Sequence, residues 1–139
     1  MIVVDSSAVV AILFGEPTAP ALLARLAADP DRIMSAAHYV EAGAVLAGRR
    51  RADRHRAIAD LDGFLDRAGI KLVPVEPAHA RLALEARITH GRGMGHGGSL
   101  NFGDAFAHAL AKAHAAPLLY VGQDFGTTDI TVALDPGTG

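Results

Sequence analysis

Four acids are spaced along the chain where chemistry could use them. Asp5 directly follows Ile2-Val3-Val4, Glu41 sits in a mainly apolar stretch, Asp104 comes just after Asn101, and Asp124 comes shortly after Leu118 to Val121. Gathered in one cleft, such carboxylates repel one another strongly unless a cation intervenes. The ion that suits them is Mg²⁺ or Mn²⁺, a hard dication that takes carboxylate oxygens and keeps part of its water. A site of that kind can polarise a phosphodiester, activate water and neutralise the leaving oxygen, so the expected reaction class is phosphodiester hydrolysis. Taken singly, each acid also has a structural use: Asp5 and Asp104 suit helix starts, Asp124 suits a turn, and an exposed helix face would accommodate Glu41. Asp129, in the same final loop as Asp124, could replace or assist it.

The elements that must position these acids alternate along the chain. Ile2-Val3-Val4 reads as a short buried strand, and Asp5, Ser6 and Ser7 are cap candidates for an apolar helix from Ala8 to Phe14. Pro17 opens a second helix, Arg32 to Ser35 is a second strand, and Ala37 to Arg51 favours helix with Glu41 early in it. Ile58, Leu61, Leu65 and Ala68 mark a further helix closed by Gly69, and Lys71 to Val75 reads as an edge strand because Pro74 cannot donate to a ladder. Pro77 starts a helix whose core face would carry Ala80, Ala83, Leu84 and Ile88. Asn101 caps another, with Phe102, Phe106, Ala109, Leu110 and Ala113 at core spacing. Leu118 to Val121 is the next strand, and Ile130 to Ala133 a short last one. Short strands alternating with helices imply a mostly parallel sheet covered on both faces, with functional groups collected past the strands' carboxyl ends.

Composition narrows the function. With 139 residues, 50% of them hydrophobic and 20% charged, one globular domain over residues 1–134 is expected, followed by a Gly/Pro tail at 135–139. The absence of cysteine excludes disulfides, thiolate zinc sites and cysteine nucleophiles, and fits a cytoplasmic protein. The longest apolar run is too short to span a bilayer, and no basic leader is evident, so neither export nor a membrane is expected. A net charge of -2 means that any RNA contact must use local patches. Arg49, Arg50, Arg51, Arg54 and Arg56 would form such a ridge on a helical segment, though cations also suit a helix C-terminus.

The segments Ile2-Val3-Val4-Asp5-Ser6-Ser7-Ala8, Met34 to Glu41, Leu100-Asn101-Phe102-Gly103-Asp104-Ala105-Phe106-Ala107, and Leu118 to Phe125 continuing to Thr128-Asp129-Ile130 resemble the VapC toxins of the PIN-domain family. The likeness runs in order over nearly the whole chain. It implies a three-layer α/β/α sandwich with a mostly parallel sheet, and a Mg²⁺- or Mn²⁺-dependent endoribonuclease acting on structured RNA such as tRNA. It also implies the toxin half of a type II toxin–antitoxin pair with a VapB-type antitoxin as partner, a homodimer, and a hydrophobic antitoxin groove. Residue by residue, Asp5, Glu41 and Asp104 match the family's three most recognisable acids and Asp124 its usual fourth. Ser7 matches a small hydroxyl residue able to orient the first carboxylate or a metal-bound water, and Ser6 stands where the family commonly has threonine.

Other motifs carry less. Gly93-Met94-Gly95-His96-Gly97-Gly98 has the letters of a dinucleotide fingerprint but follows a helix where a strand is required, and no Gly-Lys pair completes a phosphate loop. A flexible loop is the better reading, with Arg92, His90 and His96 placed to touch phosphate or antitoxin. The seven histidines show no zinc-type spacing. His108, one turn after Asp104, could hydrogen-bond that carboxylate or lie on the surface. A phosphoryl-accepting regulatory domain would need adjacent N-terminal acids and a late lysine, which are missing here. A PIN-like module that binds RNA or a partner without cutting is the remaining alternative.

Overall fold

The structure, a computed structural model, describes residues 1–135, so residues 136–139 of the expected tail lie outside the described residues. The elements run β1 (Ile2–Val4), α1 (Ser6–Leu13), α2 (Ala19–Ala27), β2 (Arg32–Ser35), α3 (Ala36–Arg49), α4 (Arg54–Arg67), β3 (Ile70–Val73), α5 (Pro77–His90), α6 (Phe102–His114) and β4 (Leu118–Leu119). The strands pair in the order β3-β2-β1-β4, every pair parallel. The chain therefore steps outward from β1 to β3 and then returns to place β4 on the other side of β1. That reversal opens a crevice between the carboxyl ends of β1 and β4, where an open α/β sheet binds its ligands.

Strand residues alternate between two cores, as the pleat demands. Ile2, Val4, Met34 and Leu119 face the layer of α1 to α4, where Leu22, Leu46, Leu61 and Leu65 close the core. Val3, Ile33 and Leu118 face the layer of α5 and α6. All three residues of β1 are wholly buried, which explains why this strand reads as an unbroken apolar run rather than an alternation. The result is the expected three-layer α/β/α sandwich, and no helix of the described residues is long and apolar enough to cross a membrane.

Several local expectations are corrected. The last strand reduces to a single bridge between Leu118 and Val132, held by Leu118 N to Thr131 O (2.9 Å) and Ala133 N to Leu118 O (3.0 Å). The arginine ridge does not lie on one helix: α3 stops at Arg49, Arg50 caps it, and Asp53 starts α4 by accepting from Arg56 N. The apolar face assigned to α5 is mostly outside. Only Ala83 of the four expected residues is buried; Leu84 and Ile88 are exposed, as is Phe102 of α6. Ala83 and Ala86 instead meet the alanines of α6, a small-residue contact that lets the two helices approach closely and leaves their larger side chains at the surface. Helix α1, apolar all round in sequence, is largely buried within the chain against α2 and α3.

Candidate active site

The crevice is lined by Asp5, Glu41, Asp104 and Asp124, together with Ser7 and Asn101. Each acid arrives by a different local device. Asp5 ends β1 and caps α1: its Oδ2 accepts from Ser7 N (2.9 Å) and Ser7 Oγ (2.5 Å). Ser7 Oγ in turn accepts from Val121 N (2.9 Å), so one hydroxyl ties the first acid to the loop after β4. Glu41 stands on α3, whose start is fixed by Ser35 capping Ala37 N. Asp104 completes a reciprocal cap with Asn101: Asp104 N donates to Asn101 Oδ1 (2.8 Å) and Asn101 N to Asp104 Oδ2 (3.0 Å). Asp124 follows Gly122, whose φ of +105° turns the chain sharply out of β4 in a conformation that favours glycine.

Two residues that sequence reasoning missed hold these parts together. His38, one helical turn before Glu41, is fully buried. Its Nδ1 accepts from Ser6 N (3.0 Å), so Nε2 carries the ring proton and donates it to Gly103 O (2.7 Å). The ring is thereby neutral, and the 3.2 Å approach of Nδ1 to Asp5 Oδ1 is a contact between two acceptors rather than an ion pair. One imidazole thus fastens α1, α3 and α6, the three elements that carry Asp5, Glu41 and Asp104. Gly103 is the second. A Cβ at this position would collide with Glu41 Oε2, so the missing side chain is the space that the Glu41 carboxylate occupies. No periodicity or spacing announces either role, because both depend on partners far away in sequence.

The electrostatics are those of an unfilled demand for positive charge. Asp5 Oδ1 is buried with no hydrogen-bond partner among the described residues. Burial above all, and then the charges of Asp5 and Asp124, push the Asp104 carboxyl up to about 7, against the opposing effect of the Asn101 amide. The nearest cation is Arg92, exposed at the rim with Nη2 3.8 Å from Asp124 Oδ1. Asp129, the other candidate, does not line this pocket: its carboxylate meets Lys112 Nζ (2.6 Å) and His108 Nε2 (3.1 Å). His108 is accordingly neither a surface residue nor a partner of Asp104; it is buried and bonded to Asp129. Of the ridge arginines, Arg49 lies over the Phe14 ring at 4.5 Å and Arg50 pairs with Asp60 at 2.5 Å, whereas Arg51 is exposed. An orphaned carboxylate oxygen, a glycine cradle for a second carboxylate and an all-oxygen donor set fit a hard dication.

Comparison with known proteins agrees with this geometry. The family model described as PIN domain matches residues 2–130. The chain is 42% identical to Ribonuclease VapC42 of Mycobacterium tuberculosis over 131 residues, 94% of this chain and 98% of that one. It is 44% identical to Ribonuclease VapC28 of the same organism over 133 residues, 96% and 98% of the two chains. Among solved structures, M. tuberculosis VapC20, described as a Sarcin-Ricin loop cleaving toxin, superposes with a TM-score of 0.73 at 18% identity, covering 94% of this chain and 97% of that one. VapBC2 from Rickettsia felis, bound to a DNA fragment from its promoter, gives 0.69 at 18% identity, covering 95% and 96%. The chain belongs to the PIN-domain family and, within it, to the VapC ribonucleases.

Proposed function

We propose that the four-carboxylate pocket is where this VapC-family endoribonuclease holds Mg²⁺ or Mn²⁺ and hydrolyses RNA phosphodiesters, with structured RNA such as tRNA as substrate. The observation that carries the reading is the meeting of Asp5, Glu41, Asp104 and Asp124, from four separate segments, in one pocket with an unpartnered buried oxygen. When bound, the dication supplies Lewis-acid polarisation of the phosphoryl oxygen and activation of water.

The remaining work belongs to the chain's own residues. Asp5 is the most fixed ligand, because Ser7 holds Oδ2 while Oδ1, 3.2 Å from His38 Nδ1, has no hydrogen-bond partner among the described residues. Glu41 and Asp104 both line the pocket at the first turn of α6, positioned by His38, Gly103 and Asn101. Asp124 closes the set on the loop after β4, and Asp129 is left outside it. Arg92 at the rim is placed to take an RNA phosphate in exchange for its long contact with Asp124. Val10, Val45 and Phe125 form apolar walls that lower the local dielectric and strengthen the ionic contacts. Arg51, Arg54 and Arg56 are exposed and Arg92 stands at the rim, all placed to meet RNA, while Arg49 lies over Phe14 and Arg50 pairs with Asp60.

The family supplies the further proposals: a VapB-type antitoxin as neutralising partner, a homodimer, and a cytoplasmic setting. The test is direct. Asp5→Asn and Asp104→Asn each lower Mg²⁺-dependent cleavage on the order of a thousandfold while circular dichroism stays unchanged. Cleavage at the parental rate by either variant would leave an RNA- or partner-binding module instead.

A further inference from the structure

A second group of metal-binding side chains lies outside the carboxylate pocket. His90 ends α5, His108 stands in the middle of α6, and Asp129 sits in the loop beyond β4, yet one ligand atom from each lies within 4.8 Å of the other two. Asp129 Oδ1 is 3.1 Å from His108 Nε2 and 3.7 Å from His90 Nε2. Donors about 2.1 Å from one tetrahedral ion stand roughly 3.4 Å apart, so these separations bracket what such an ion needs. We propose that His90, His108 and Asp129 form a second cation site that takes a borderline transition-metal dication of the Zn²⁺ class.

The chemistry differs from that of the first site. Two imidazoles and one carboxylate suit Zn²⁺ and its neighbours, whereas the all-oxygen pocket suits Mg²⁺ or Mn²⁺. His108 is buried, with desolvation holding its pKa below the ordinary value, so its ring is neutral and ready to bind at physiological pH. Its Nδ1 has no hydrogen-bond partner among the described residues. Moving the ring proton from Nε2 to Nδ1 on metal binding leaves that same atom without a partner, as a donor rather than an acceptor, while Nε2 exchanges its hydrogen bond to Asp129 for the metal. Leu82 and Ala86 wall the same hollow on one side, and the exposed Asp129, beside the mostly buried His90, leaves a path for the ion on the other. Lys112 holds Asp129 through Oδ2, which leaves Oδ1 for the metal; the lysine is exposed enough to swing away as the ion arrives.

Occupation would clip α5, α6 and the final loop together, five residues beyond Asp124. The seven histidines show no zinc-type spacing because these ligands meet only through the packing of α5 on α6.

Calorimetric titration of the full chain with Zn²⁺, in millimolar Mg²⁺ to fill the oxygen site, tests this without reading cleavage. The parent chain and Asp5→Asn are expected to bind one Zn²⁺ equally well. His90→Ala, which removes a mostly buried ligand ring and is checked by circular dichroism for an unchanged fold, weakens binding by at least about tenfold to a hundredfold. Asp129→Asn does the same. Equal Zn²⁺ affinity in the parent and His90→Ala, absence of Zn²⁺ binding in the parent, or loss of the site in Asp5→Asn would overturn the proposal, and none of these would touch the nuclease reading.

Discussion

Asp104 stands in the first turn of α6 and Asp129 packs against the same helix from the final loop, yet they meet opposite surroundings. Asp104 is buried beside Asp5 and Asp124, and its carboxyl is pushed up to about 7. Asp129 is half exposed beside Lys112 and His108, and the lysine above all draws it down to about 2. The first carboxylate lacks a cation, and the second already has one from the protein. The difference separates the pocket proposed to receive a hard dication from the cluster proposed to take an ion that imidazoles also hold.

The comparison can be broken most severely by removing charge from either side. Asp104→Asn abolishes cleavage, whereas Asp129→Asn leaves Mg²⁺-dependent cleavage within a few-fold of the parent; equal losses in the two variants would erase the distinction. Gly103→Ala is a subtler cut. The new methyl group must displace the Glu41 carboxylate, the far end of a flexible side chain, so the fold survives while cleavage falls about a hundredfold. An unchanged rate would remove Glu41 from the site.

Stability against pH sharpens the same contrast. With its folded pKa near 7 and an ordinary value of 3.8, Asp104 binds more protons in the folded state than in the unfolded one between those values. Metal-free protein therefore loses stability as pH rises from about 4 to 7, by about 1.4 kcal/mol for each pH unit crossed, and this contribution is constant above that window. Asp129 behaves oppositely: its contribution is present above 3.8 and is lost as pH falls toward 2. His108, with its pKa held below 6.5, adds stability as pH rises toward 6.5 and no more above it, which partly masks the Asp104 slope, so Asp104→Asn is the control. Denaturant melts of parent and Asp104→Asn in EDTA at pH 5 and 7.5 read it; identical pH slopes would contradict the assignment. The smallest effect concerns the arginines. Arg92→Ala should lower the slope of log affinity against log salt by about 0.7, one phosphate contact on a single strand, while Arg50→Ala, already paired to Asp60, leaves it unchanged.

Much of this was legible in the sequence where the signal was local. The β1 run with Asp5 behind it, the Asn101 cap with Asp104 three places on, and the edge character of β3 each depend on neighbours within a few residues. His38 and Gly103 were not legible, since their meaning comes from contacts 32 and 65 residues away along the chain. The buried face of α5, and the place of Phe102 at the start of α6, depart from the periodicity for a packing reason. Alanines fill that close interface, so the larger Leu84, Ile88 and Phe102, which a periodicity argument sends inward, stay outside. Asp124 and Asp129 could not be separated in sequence because both follow the same strand, and only Lys112, on another element, tells them apart.

The most direct test of the central claim is anomalous diffraction from crystals of the full chain grown with Mn²⁺. A manganese peak inside the pocket, shared by Asp5 and Asp104 and absent in Asp5→Asn crystals, is the expected result. Manganese found only beside His90 and Asp129, or a pocket whose carboxylates bind no ion at saturating Mn²⁺, would contradict it.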